Sequence, residues 1–175
     1  MMNLHTKTTM SVNPLQRLHD YGQAIWLDFL SRRFIAEDGL KKLIEQDGLT
    51  GVTSNPSIFE KAIAGSADYD SSLKAAEAAG DCDAMALYEQ LAIKDIQHAA
   101  DALRPVYDAT KRGDGYVSLE VSPYLAMNTE ATVGEARRLW RAVGRDNLMI
   151  KVPATKAGLP AIRQLNGEGI NVNIT

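Results

Sequence analysis

The sequence holds a single cysteine, Cys82, so it cannot form an internal disulfide, and this predicts a reducing, cytoplasmic setting. Cys82 lies between Asp81 and Asp83 with no base or cation beside it in sequence, which argues against a reactive thiol. Histidine is scarce too: His5, His19 and His98 are far apart and lack metal-ligand spacing, so no metal is expected. No apolar run approaches the roughly 20 residues needed to span a bilayer. Residues 1–12 are polar, lack the apolar stretch of a secretory signal, and are expected to be a flexible leader. Basic excess is missing as well. With a net charge of −3 and scattered lysines and arginines, the chain carries no electrostatic footprint for nucleic acid. Low-complexity segments, linkers and exact repeats are absent. What remains is a chain of 175 residues with 45% hydrophobic and 23% charged residues, an ordinary composition for one domain with a real core.

Residues 13–175 read as strands alternating with helices. Asn13-Pro14 predicts a helix start, with Leu15, Leu18 and Tyr21 on its apolar side and Gly22 as its stop. A strand is expected over 24–29, a helix over 37–46 with Leu40, Leu43 and Ile44 on one face, and a short strand over 51–54. Asn55-Pro56-Ser57 then opens a helix carrying Ile58, Phe59 and Ile63. From Ser66 to Arg112 the pattern is helical, broken at Gly80 and Asp81. Strand character returns at Tyr116 to Val121, followed by a helix from about Glu130, capped by Thr129 or Asn128, that ends near Gly144. The strand Leu148 to Val152, a helix from about Ala157 to Leu165 and a strand from Ile170 to Thr175 complete the order. Alternation of this kind predicts a parallel sheet with crossover helices.

Parity within the strands gives the site. Val117, Leu119 and Val121 oppose Ser118 and Glu120; Ile170, Val172 and Ile174 oppose Asn171, Asn173 and Thr175; Ile25, Leu27 and Phe29 oppose Trp26 and Asp28. Each strand thus has an apolar face suited to packing under helices and a face bearing polar groups toward its carboxyl end, as expected of a barrel with its site at that end. The intervening helices argue against the alternative, a half-exposed antiparallel sheet. Lys151 is an amine inside the apolar run Leu148-Met149-Ile150-Lys151-Val152-Pro153. Alone it has two readings, a structural ion pair or a nucleophile whose apolar surroundings lower its pKa until it can attack a ketone. Around it the polar faces collect Asp28, Thr53, Asn55, Glu120, Asn173 and Thr175. One lysine, two carboxylates and several neutral hydrogen-bonders form the inventory of an imine-forming aldolase. Glu120 would supply the proton for dehydration and Asp28 the base for carbon–carbon cleavage, while the Asn55 and Asn173 amides would hold hydroxyls. Asp28 as a turn former and Asn55-Pro56 as a plain helix entry remain the alternatives.

Gly51-Val52-Thr53-Ser54-Asn55-Pro56-Ser57-Ile58-Phe59 resembles the N-terminal signature of transaldolases, and Ile150-Lys151-Val152-Pro153-Ala154-Thr155 resembles their Schiff-base lysine motif. Ser118-Leu119-Glu120-Val121 and Asn171-Val172-Asn173-Ile174-Thr175 are similar to the third and fifth barrel strands of that family, and the resemblance runs from about Asn13 to Thr175. It implies a (β/α)8 barrel with extra helix before strand one and between strands two and three. The implied activity is transfer of a dihydroxyacetone unit between sugar phosphates in the pentose phosphate pathway, with no metal or organic cofactor. Lys151 would form the imine, Glu120 relay protons through a water that Thr175 helps hold, and Asp28 act as acid/base. Thr53, Asn55 and Asn173 would bind the dihydroxyacetone moiety. A related group that cleaves fructose 6-phosphate without an acceptor has tyrosine in place of the strand-three glutamate, so Glu120 favours the transferase.

Five strands are counted where a barrel of about 250 residues has eight. The expectation is therefore a partial barrel that lacks the serine and arginines gripping the sugar phosphate. Its unpaired sheet edges would favour self-association, and its own turnover would be negligible. A non-catalytic sugar-binding or interaction fragment is the reading from another class. Arg32 and Arg33, just after the first strand, are expected to be solvated basic residues, with a phosphate contact as the alternative.

Overall fold

A computed structural model of the chain describes residues 13–78, 80 and 83–175. The expectations for residues 1–12 and for Cys82 lie outside the described residues. Five strands form one parallel sheet in chain order: β1 (Trp26–Leu27), β2 (Gly51–Val52), β3 (Tyr116–Glu120), β4 (Leu148–Val152) and β5 (Val172–Ile174). Parallel neighbours need crossovers, and helices supply them. These are α1 (Arg32–Ala36) and α2 (Gly39–Asp47) after β1, then α3 (Pro56–Ala64), α4 (Asp70–Ala78) and α5 (Ala84–Ala109) after β2. Helix α6 (Thr129–Val143) follows β3 and α7 (Gly158–Gly167) follows β4. The sequential order, with helices between successive strands, is that of a β/α barrel wall, of which these are five strands.

Helix ends follow their sequence signals. Ser31, Asn55, Asp83 and Asn128 each accept a backbone N–H from the first turn they precede. Asn128, rather than Thr129, is thus the cap of α6. Gly144 and Gly48 close α6 and α2 in the left-handed region, at φ 60° and 71°.

The core lies between sheet and helices. Val117, Leu119 and Val121 with Leu148, Ile150 and Val152 form its floor. Ile96, Ala99, Ala100 and Leu103 of α5, Val133, Ala136, Leu139 and Val143 of α6, and Ala161 and Leu165 of α7 cover it. Asn147, fully buried before β4, donates its amide to Ala100 O (2.8 Å) and Gly115 O (2.9 Å), fastening helix, β3 and β4 together at the opposite end from the site.

Several expectations need correction, among them the strand expected over 51–54, which is Gly51–Val52. The segment after Asn13-Pro14 is not an α-helix but a 3₁₀ helix, Gln16–Tyr21, with none of its residues buried. Leu15, Leu18 and Tyr21 recur every three residues, which is the 3₁₀ period. Asn13 still caps the segment, its Oδ1 accepting from Leu15 N (2.9 Å), and its Nδ2 ties it to α2 by donating to Asp47 Oδ1 (2.6 Å) and Gln46 O (2.9 Å). The first strand shrinks from 24–29 to Trp26–Leu27, so Phe29 falls out of phase and is exposed while Leu30 is fully buried. The last strand shrinks to Val172–Ile174, and Ile174 lies at the open edge with 55% exposure instead of in the core.

Arg32 is also not solvated. Its side chain is 18% exposed and its Nε donates to the fully buried Asp95 at 3.0 Å, with the guanidinium over the Tyr69 ring. Arg33 pairs with Asp68 at 3.0 Å.

Candidate active site

Neighbouring parallel strands lie about 4.8 Å apart, so residues in register on one face stand side by side. The register places Glu120 opposite Lys151 and Lys151 opposite Asn173. Lysine, carboxylate and amide therefore form one row across β3, β4 and β5 at their carboxyl ends. Lys151 Nζ lies 3.3 Å from Glu120 Oε2, with the two side chains 14% and 15% exposed. An amine in contact with a carboxyl group has a proton carrier at hand, which imine chemistry requires.

Thr175 lies two residues beyond Asn173, one pleat repeat above this row, and is pinned there. Its N–H donates to Val152 O (3.2 Å) and its carbonyl accepts from Ala154 N (2.8 Å). The loop that follows Lys151 is fixed from two sides. Thr155 donates its hydroxyl to Ala126 O in the β3–α6 loop and accepts from Gly158 N (2.9 Å). Thr129 donates to Ala157 O at 2.6 Å. A Cβ on Gly158 would come within 2.0 Å of Pro153 O, so only glycine lets α7 start this close beneath the loop.

Asp28 and Thr53 stand one pleat repeat lower, about 6.6 Å along the strands. Leu27 pairs with Val52 and Val52 with Val117, which puts Asp28, Thr53 and Ser118 level in the next row. Ser118 Oγ donates to Thr53 Oγ1 at 3.0 Å, and Ser54 Oγ, fully buried, donates to Ser118 O at 2.7 Å. Asn55 serves its helix: its Oδ1 accepts from Ile58 N (3.0 Å), which leaves Nδ2 as a donor. The helix-entry and site readings of Asn55 are thus compatible. Asp28 is exposed and lies on a cavity of about 490 Å³ with Arg33, Lys61 and Asp68. Strands β2 and β3 stand between it and β4, and it makes no contact with Lys151.

Two neighbours carry no role in the sequence reading. Ser118 is visible there only as a polar residue of the same parity as Glu120. Tyr88, from α5, shares a cavity of about 500 Å³ with Glu120 and Glu60. Burial first, then the charges of Glu120, Glu60 and Glu89, push its phenol pKa up. No sequence signal brings α5 to the end of β3. Among the described residues no group of three His, Cys, Asp or Glu side chains could hold a metal ion, and no helix is long and apolar enough to cross a membrane.

A parallel sheet wound in chain order, with charged groups gathered at the carboxyl ends of its strands, defines a β/α-barrel protein. Residues 25–175 match the transaldolase/fructose-6-phosphate aldolase family. The chain belongs to that family, whose fold is the (β/α)8 barrel. It is 53% identical over 166 residues to "Transaldolase 2" of Nostoc punctiforme, which covers 95% of this chain and 43% of that protein. To "Transaldolase" of Thermobifida fusca it is 52% identical over 163 residues, 93% of this chain and 44% of the relative. To "Transaldolase 1" of Streptomyces coelicolor it is 48% identical over 170 residues, with 97% and 44% covered. The chain thus spans under half the length of these relatives.

Proposed function

We propose that this chain carries the imine-forming part of a transaldolase, which moves a three-carbon dihydroxyacetone unit from a ketose phosphate to an aldose phosphate. The donors are sedoheptulose 7-phosphate or fructose 6-phosphate, and the acceptors glyceraldehyde 3-phosphate or erythrose 4-phosphate. This is a reaction of the pentose phosphate pathway in the cytoplasm. The observation that carries the reading is the row Glu120–Lys151–Asn173, with the amine 3.3 Å from the carboxyl group. Relatives named transaldolase at about 50% identity support the same reaction.

In this reading neutral Lys151 Nζ adds to the ketone carbon to give a carbinolamine. Glu120 delivers a proton to its hydroxyl, directly or through a water held by Thr175, and water leaves as the iminium forms. Asp28 removes the proton of the hydroxyl next to the breaking carbon–carbon bond. That bond's electron pair flows into the iminium, giving an enamine on Lys151 and a free aldose phosphate. The enamine adds to the acceptor aldehyde, and water then releases the new ketose. The imine is itself the electron sink, so the scheme calls for no cofactor. Asn55 Nδ2 and the Asn173 amide, with Thr53, hold the hydroxyls of the dihydroxyacetone unit.

The test is borohydride reduction in the presence of fructose 6-phosphate, followed by peptide mass mapping. The expected product is a dihydroxyacetone-derived secondary amine on Lys151, absent in Lys151→Ala. Absence of an adduct, or an adduct that persists in Lys151→Ala, overturns the reading.

A further inference from the structure

The Ser118–Thr53 pair carries information about proton direction. Ser118 is fully buried, and a buried hydroxyl must place its proton on an acceptor. Among the described residues Ser118 Oγ has one hydrogen-bond partner, Thr53 Oγ1, at 3.0 Å. If Thr53 were the donor, the Ser118 proton would be left buried and unpaired, the more expensive arrangement. The serine therefore donates and the threonine accepts. A hydroxyl has one proton, and Thr53 is half-buried, so its own proton is turned away from Ser118 and is free for a partner outside the protein. Ser118 is itself fixed, because Ser54 Oγ holds its carbonyl at 2.7 Å and β3 is paired on both sides.

We infer that Ser118 is a positioning residue that makes Thr53 a hydrogen-bond donor to a hydroxyl of the ketose. The inference rests on the imine-forming reading of Lys151 and adds a residue to it: Ser118 touches no substrate and acts through Thr53. The consequence is selectivity. A ketone carrying hydroxyl groups gains from the donor, and a plain ketone does not.

The rate of borohydride-trapped adduct formation on Lys151 should be compared for dihydroxyacetone and acetone. The comparison covers the wild-type chain, Ser118→Ala, Thr53→Val and the double variant. Loss of one oriented hydrogen bond predicts dihydroxyacetone trapping slower on the order of tenfold in Ser118→Ala. Acetone trapping should stay at the wild-type rate, and Ser118→Ala should add no further loss on Thr53→Val. Ser118→Thr, which keeps the hydroxyl, should restore most of the rate. Unchanged dihydroxyacetone trapping in Ser118→Ala overturns the inference alone, as does an equal loss with acetone or full additivity with Thr53→Val. If the wild-type chain traps neither ketone, the imine reading fails and this inference falls with it. Should Ser118→Ala not fold, Ser118→Cys, which keeps a small group but donates weakly, makes the same comparison.

Discussion

Asp95→Ala should destabilise the fold by about 3 kcal/mol, the lower end of what removing one partner of a buried ion pair costs. Asp95 has no exposure and accepts from Arg32 Nε at 3.0 Å and from Tyr69 Oη at 2.6 Å. The lower end applies because the pair is not bidentate. Arg32 Nη1 reaches Ser72 Oγ (3.2 Å) and Asp68 O (3.4 Å), its Nη2 is buried with no partner among the described residues, and the side chain keeps 18% exposure. Removing the carboxylate takes from that guanidinium its buried ion-pair partner and from the fully buried Tyr69 hydroxyl its acceptor. Urea unfolding followed by far-ultraviolet circular dichroism reads the effect. With a slope of about 2 kcal/mol per molar urea, the midpoint should drop by about 1.5 M. Replacing both charges, Arg32→Met with Asp95→Leu, should recover most of the loss, since a buried pair exchanged for apolar groups is often neutral. A loss below about 1 kcal/mol in Asp95→Ala would refute the reasoning. So would a double variant no more stable than the single one. The cluster matters for the site because α1, which it anchors to α5, begins just after Asp28-Phe29-Leu30-Ser31.

Gly51→Ala should cost about 1–3 kcal/mol by overpacking, because a Cβ there would meet the Trp26 indole at 2.2 Å. A shifted indole fluorescence should accompany the loss, and an unchanged melting temperature would contradict it. At high pH, Tyr69, Tyr88 and Tyr116 should hold their protons beyond the ordinary value of 10.0, each chiefly because burial raises its pKa. Above that value the unfolded chain binds fewer protons than the folded one. Stability should therefore fall as pH rises from the unfolded toward the folded pKa values. Near-ultraviolet absorbance should show these phenols ionising late, and a single titration at the free-tyrosine pH would exclude the burial described above.

Much of the candidate site's placement on the sheet was legible because strand parity is a strict two-residue period. Once Val117, Leu119 and Val121 are placed under helices, Ser118 and Glu120 must face the other way. The same logic set Lys151 apart from Ile150 and Val152, and Asn173 from Val172. Parity does not say which residues stand abreast. The Glu120–Lys151–Asn173 row is a matter of register between strands, and only the folded sheet supplies it. Parity also fails where a strand stops early, as at Phe29 and Leu30, because the chain turns and the alternation loses its phase.

Long-range pairing was the least legible. Arg32 meets Asp95 across 63 positions, and Ser118 meets Thr53 across 65. Nothing local in Arg32-Arg33 distinguishes a buried guanidinium from a solvated one. By itself the sequence determined the alternation of strands and helices, the capped helix starts and the face on which each candidate side chain lies. These follow from backbone geometry within a few residues. The tertiary structure decided which polar groups touch and which charge is buried. Those depend on desolvation and on partners that only chain folding brings together.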